Sequence, residues 1–107
     1  MKEVRFLGSS RADLAALPAS VRSRAGHELF LVQMGREPSD FKPIPDVGAG
    51  VYEIRIRDPA GAFRVMYVAR FKAAVYVLHV FQKKSQRTST LDLQLSRTRY
   101  ATIKEHS

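Results

Sequence analysis

The chain has 107 residues, with 18 Lys and Arg against 10 Asp and Glu, no Cys and a formal charge of +8. One domain over residues 1–107 is expected, since a chain of this size buries about two-thirds of its unfolded surface without covalent staples. Lack of Cys excludes disulfides and thiolate metal sites, and no stretch approaches the roughly 18 apolar residues of a membrane span.

The opening MKEVRFLGSS has no long apolar run of the kind a signal peptide carries, so a cytoplasmic protein with no membrane partner is expected. Residues 2–7 alternate weakly and read as an N-terminal strand ended by Gly8-Ser9-Ser10. Ser9 or Ser10 suits the N-cap of a short helix over 11–17, with Asp13 favourable to its dipole. Pro18 suits the start of a second helix over 19–34, where Val21, Ala25, Leu29 and Val32 share one face. Gly35 is placed to end that helix. Gly26 lies inside it, at a penalty of about 1 kcal/mol relative to Ala, and close approach of another backbone is a reason that such a glycine can have. Residues 36–50 (REPSDFKPIPDVGAG) carry three prolines and two glycines after Gly35, and are expected to lack regular structure, with Phe41, Ile44 and Val47 pinning them to the core.

Three strands follow, over 51–57, 63–70 and 74–82, each rich in Val, Ile, Tyr and Phe. Asp58-Pro59-Ala60-Gly61 and the short stretch 70–73 suit tight reversals, so the strands form an antiparallel meander. Alternation puts Tyr52, Ile54, Ile56, Phe63, Val65, Tyr67, Ala69, Ala74, Tyr76, Leu78 and Val80 on one face, expected to take the helices. The other face carries Glu53, Arg55, Arg57, Arg64, Met66, Val75, Val77, His79 and Phe81 and leads into Lys83-Lys84. Thr88 or Ser89 then suits the cap of a last helix over 90–104, with Leu91, Leu93 and Leu95 near one another. The expected fold is α+β in the order β-α-α-β-β-β-α, with helices on one face of a small antiparallel sheet.

The charge excess is confined to one half of the chain. Residues 1–53 hold seven basic and seven acidic residues; residues 54–107 hold eleven basic and three acidic. A polyanion, nucleic acid above all, is the partner such asymmetry suggests, the alternative being a solvated basic surface.

The histidines (His27, His79, His106) show no ligand spacing, so no metal or other cofactor is expected. No Gly-rich phosphate loop is present. What remains is a set of cations with aromatics on the second face of the meander. Such a set suits phosphate binding and the charge of a pentacoordinate phosphorus, as in metal-free RNA cleavage by a ribose 2′-OH. Arg64, in mid-strand, is either a phosphate clamp or an ion-pair partner of Glu53. One of Arg55 and Arg57 is also placed to pair with Glu53. Phe81 suits stacking on a base or packing, and His79 suits proton transfer or a structural role. Tyr100 is a possible hydrogen-bond donor or a packing residue, and Arg97, Arg99 and Lys104 add charge to the last helix.

The segments VYEIRI, FRVMYV and VYVLHVFQKKSQRT, with FKPIPDVGAG and LAALPASVRSRAGHEL before them, resemble the RelE/HigB superfamily of type II toxin–antitoxin toxins, in its phage-derived HigB-like subfamily. The resemblance covers roughly residues 4–99. It implies a RelE-like fold and a ribosome-dependent mRNA endonuclease that uses no metal and inhibits translation. It also implies a neutralising helix-turn-helix antitoxin of the HigA type. The strand Arg of YEIR is Arg55, that of FRV is Arg64, and the lysine pair is Lys83-Lys84. Departures occur at Ser89-Thr90-Leu91, where relatives often carry Pro, and at Leu95-Ser96. Residue reading and resemblance together assign catalysis to Arg64, Lys83, Lys84 and His79, and RNA contacts to Arg55, Arg57, Phe81, Arg87, Arg99 and Tyr100. The alternatives are a ParE-like gyrase-inhibiting toxin on the same fold, or a non-enzymatic nucleic-acid-binding module.

Overall fold

In the computed structural model, which describes residues 1–103, the elements run β1 (Glu3–Phe6), α1 (Ser10–Ala15), α2 (Ala19–Gln33), β2 (Phe41–Pro43), β3 (Val51–Asp58), β4 (Gly61–Val68), β5 (Ala74–Lys83) and α3 (Thr90–Tyr100). The five strands form one sheet in the order β1-β5-β4-β3-β2. The expected antiparallel sheet is corrected to a mixed one, because β1 pairs in parallel with β5 while the other neighbours are antiparallel. The helices between β1 and the meander provide the long connection that a parallel pair requires. The element order is corrected too. The segment expected to be irregular contains β2, whose Phe41, Lys42 and Pro43 pair with Ile54, Glu53 and Tyr52. Pro43 is tolerated there because β2 is an edge strand.

Local signals explain the boundaries. Gly35 takes φ +78°; its N–H donates to Val32 O at 3.0 Å and the N–H of Arg36 to Leu31 O at 2.8 Å, a Schellman closure of α2. Ser89 accepts a hydrogen bond from Asp92 N and caps α3. That helix ends at Tyr100, short of the expected residue 104, which with His106 lies outside the described residues. A Cβ added at Gly26 would meet nothing within 4 Å, so no backbone approaches it closely.

Helices cover both faces, not one. On one side α1, α2 and the turn between them pack Leu14, Leu17, Val21, Ala25, Leu29 and Val32 against Ile54, Ile56, Phe63, Val65 and Tyr67. On the other, Leu93, Tyr100 and Ile103 pack against a second core of Val51, Met66, Val68, Phe71, Leu78 and Phe81. The alternation expected for the third strand also fails. A bulge opposite Met66 and Tyr67 shifts the register, so that His79 pairs with Met66 but Val77 with Tyr67. Val75, Val77 and Val80 therefore share the α2 side, while Ala74, Tyr76, Leu78 and Phe81 share the α3 side.

Candidate nucleic-acid interface

Helix α3 crosses one end of its face and leaves the end nearest the β3–β4 turn without a helix above it. Register builds a cationic surface there. Arg55 stands opposite Arg64, and Arg64 opposite Phe81; in the next row Arg57 pairs with Ala62, and Ala62 with Lys83. Lys42 joins from β2, opposite Glu53. Lys83, Lys84 and Arg87 line a groove of about 230 Å³ shared with Gln82, Ser85, Ser89 and Asp92.

These cations differ in their surroundings. Arg64 is 6% exposed and Glu53 is fully buried. Arg64 Nε lies 3.3 Å from Glu53 Oε1, and neither atom makes a hydrogen bond. Arg64 Nη1 donates to Phe63 O at 3.0 Å. Burial lowers the Arg64 pKa; the Glu53 charge opposes that shift, and Arg55 and Arg57 add to it. Arg55 pairs with Asp40 rather than Glu53, donating to Oδ1 from Nε at 3.0 Å and Nη2 at 2.8 Å. Arg57, Lys42, Lys84 and Arg87 are exposed and Lys83 is half-buried. The Lys83 pKa is lowered, first by desolvation, then by repulsion from Arg64, Lys42 and Arg55, with Glu53 opposing. A lysine so placed gives up its proton more readily than one in water.

The other expected site residues lie elsewhere. His79 is buried beneath α3, with Nε2 2.7 Å from Asp92 Oδ1 and its ring stacked on Phe81 at 4.8 Å. Arg99 Nη1 donates to Leu78 O at 3.0 Å and lies 3.3 Å from His79 Nδ1, while its Nη2 donates to Ser9 Oγ at 3.1 Å. A guanidinium only donates, so Nδ1 accepts and the ring proton sits on Nε2 facing Asp92. Both ring nitrogens are thereby engaged in tying α3 to β5. Tyr100 donates to Ala49 O at 3.0 Å and accepts from Arg70, pinning α3 to the loop before β3.

Arg55, Arg57, Arg64, Phe81, Lys83, Lys84 and Arg87 thus converge on one end of the sheet, and His79, Arg99 and Tyr100 form the joint behind it. Sequence reasoning missed Lys42, hidden in a segment rich in proline, and the tie between the groove and Glu53 through Thr88. Its signal for Glu53 was present, as a lone carboxylate alternating with strand cations. Among the described residues no group of three His, Asp or Glu could hold a metal ion, and no helix is long and apolar enough to cross a membrane.

No curated protein matches the chain. Residues 12–101 match the family described as phage-derived protein Gp49-like (DUF891). That match spans most of the sequence, including α2, the meander and α3, and the chain belongs to the family of phage-derived Gp49-like proteins.

Proposed function

We propose that this protein is the toxin of a type II toxin–antitoxin pair and a ribosome-dependent mRNA endonuclease needing no metal. Membership of the Gp49-like family, a RelE/HigB-like toxin family, is consistent with a toxin–antitoxin toxin. The observation that carries the nuclease reading is the convergence of Arg55, Arg57, Arg64, Lys83 and Lys84 beside Phe81 on one open sheet end. The ribose 2′-oxygen forms a bond to the adjacent phosphorus and the bond to the 5′-oxygen breaks. Lys83, whose proton is weakened by burial and neighbouring cations, accepts the 2′ proton. Lys84, in the same groove, supplies a proton to the leaving oxygen. Arg64 and the exposed Arg57 offset the charge on phosphorus, while Phe81, buried in the second core and stacked on His79, supports this end from beneath rather than meeting a base. The products are a 2′,3′-cyclic phosphate and a 5′-hydroxyl. A HigA-like helix-turn-helix antitoxin is the natural partner, the RelE-like domain spans residues 1–107, and the cytoplasm is where ribosome and antitoxin meet it.

One observation favours non-catalytic RNA binding instead: His79 is fully engaged within the fold, so among the described residues the cationic end contains no histidine. A reconstituted translation reaction with wild type, Lys83→Ala and Arg57→Ala separates the readings. Ribosome-dependent cleavage with cyclic-phosphate ends, lost in Lys83→Ala, supports the nuclease. Intact mRNA with salt-dependent binding supports the binder, and intact mRNA with inhibited supercoiling supports gyrase as the target.

A further inference from the structure

We propose that Glu53 is a positioning residue for RNA cleavage, holding the Arg64 guanidinium and, through Thr88, the groove-lining segment that leads into α3. The inference rests on the nuclease reading above. Glu53 is fully buried on β3, between Lys42 and Met66 in the register. One carboxylate oxygen faces Arg64 Nε at 3.3 Å, and the other accepts from Thr88 Oγ1 at 3.4 Å. Two pieces of the cationic end, one on β4 and one in the segment carrying Lys84 and Arg87, are therefore referred to a single carboxylate.

Stability alone does not account for this arrangement. A buried ion pair contributes little that apolar residues of the same volume would not, and this pair lacks hydrogen-bond geometry. Its geometric effect is specific. The Glu53 charge faces Nε without a hydrogen bond, Phe63 O accepts from Nη1, and among the described residues Nη2 has no hydrogen-bond partner. The guanidinium is thus fixed from two sides with one nitrogen left for a phosphate oxygen. Glu53 is also the carboxylate that opposes Arg64, Arg55 and Lys42 around Lys83; Lys84, Arg87 and Asp92 complete that groove.

The test is single-turnover cleavage of ribosome-bound mRNA across pH by wild type, Glu53→Gln and Thr88→Val, with a thermal melt of each. Glu53→Gln is expected to slow cleavage roughly ten- to a hundredfold, as misplacement of a catalytic group by about 1 Å does. It should also move the Lys83 inflection of the rate profile to lower pH, a change that loosened packing alone would not cause. Thr88→Val, which removes a long hydrogen bond to the buried Glu53, should stay folded, melt a few degrees below wild type and cleave several-fold more slowly. Wild-type rates and an unchanged profile in both variants overturn the inference. If Glu53→Gln does not fold, Thr88→Val decides: an undiminished rate overturns it. Silence of all three proteins overturns the nuclease reading itself, an outcome distinct from active wild type with indifferent variants.

Discussion

Replacing Arg64 by Ala tests the link between the cationic end and the fold. Arg64 has a side-chain exposure of 7% and Glu53 of 0%, so the variant leaves a carboxylate buried without its counter-charge. Breaking a buried pair from one side destabilises by about 3–5 kcal/mol. For a domain of this size about 1 kcal/mol moves Tm by roughly 4–8 °C, so a fall of at least about 12 °C is expected at pH 7. Glu53→Leu with Arg64→Met should recover most of the loss, because neither charge is then stranded. Thermal melts of wild type, Arg64→Ala and the double variant at pH 7 make the comparison. A Tm within about 4 °C of wild type for Arg64→Ala would show that Glu53 finds water or another partner, and the account of the pair would fall.

Gly26→Ala should stabilise by about 0.5–1 kcal/mol, because the position is helical and an added methyl meets no neighbour; a lower denaturant midpoint would contradict this. His79→Ala should cost about 2–4 kcal/mol, from the Asp92 contact and the Phe81 stacking, with cleavage per folded molecule retained. Lost cleavage at an unchanged midpoint would instead put His79 in the chemistry. The Lys83 pKa lies below its ordinary 10.5 in the folded chain, so folding disfavours the charged amine, and stability is gained as pH rises from the folded value to 10.5. Lys83→Met should accordingly melt above wild type at pH 7, with the gap closing near pH 10.5; a gap that does not vary with pH counts against the repulsion. Lys42→Ala should leave Tm unchanged and lower the slope of log affinity against log salt for single-stranded RNA by about 0.7; an unaltered slope would place the RNA elsewhere.

What was legible in the sequence follows from which signals are local. The meander, α2 with its glycine end and the Ser89 cap each rest on residues adjacent in the chain, and these agree with the structure to within a few residues. Partners remote in sequence were not legible. The parallel pairing of β1 with β5 depends on the helices that separate them. Strand β2 is three residues long and carries Pro43, too short for alternation to register. The bulge in β5 inverted the faces of Val75 and Val77, and with them the expectation that one face alone was apolar.

The same bulge explains why the cations sort as they do. With regular alternation Leu78 and Val80 would share a face; the extra residue instead brings Leu78, His79 and Phe81 to the α3 side. That gives α3 an apolar seat, and its polar joint with His79 and Arg99 keeps it over that end of β5. The helix starts only at Thr90, after the segment that Thr88 ties to Glu53. Of the far rows, Arg64 and Phe81 stay buried, while Arg55, Arg57 and Lys83 are consequently left to solvent and to this segment. Two carboxylates at that end are committed, Asp40 to Arg55 and Glu53 to Arg64. Among the described residues Arg57, Lys42, Lys83, Lys84 and Arg87 have no carboxylate within ion-pair distance. Solvating five such charges side by side is unfavourable through their mutual repulsion, and a phosphate backbone relieves it by releasing its own counterions. Under the proposed function that cationic end, four charges from the second half of the chain and Lys42 from the first, is where the polyanion binds, and the position of one helix decides where on the sheet it lies.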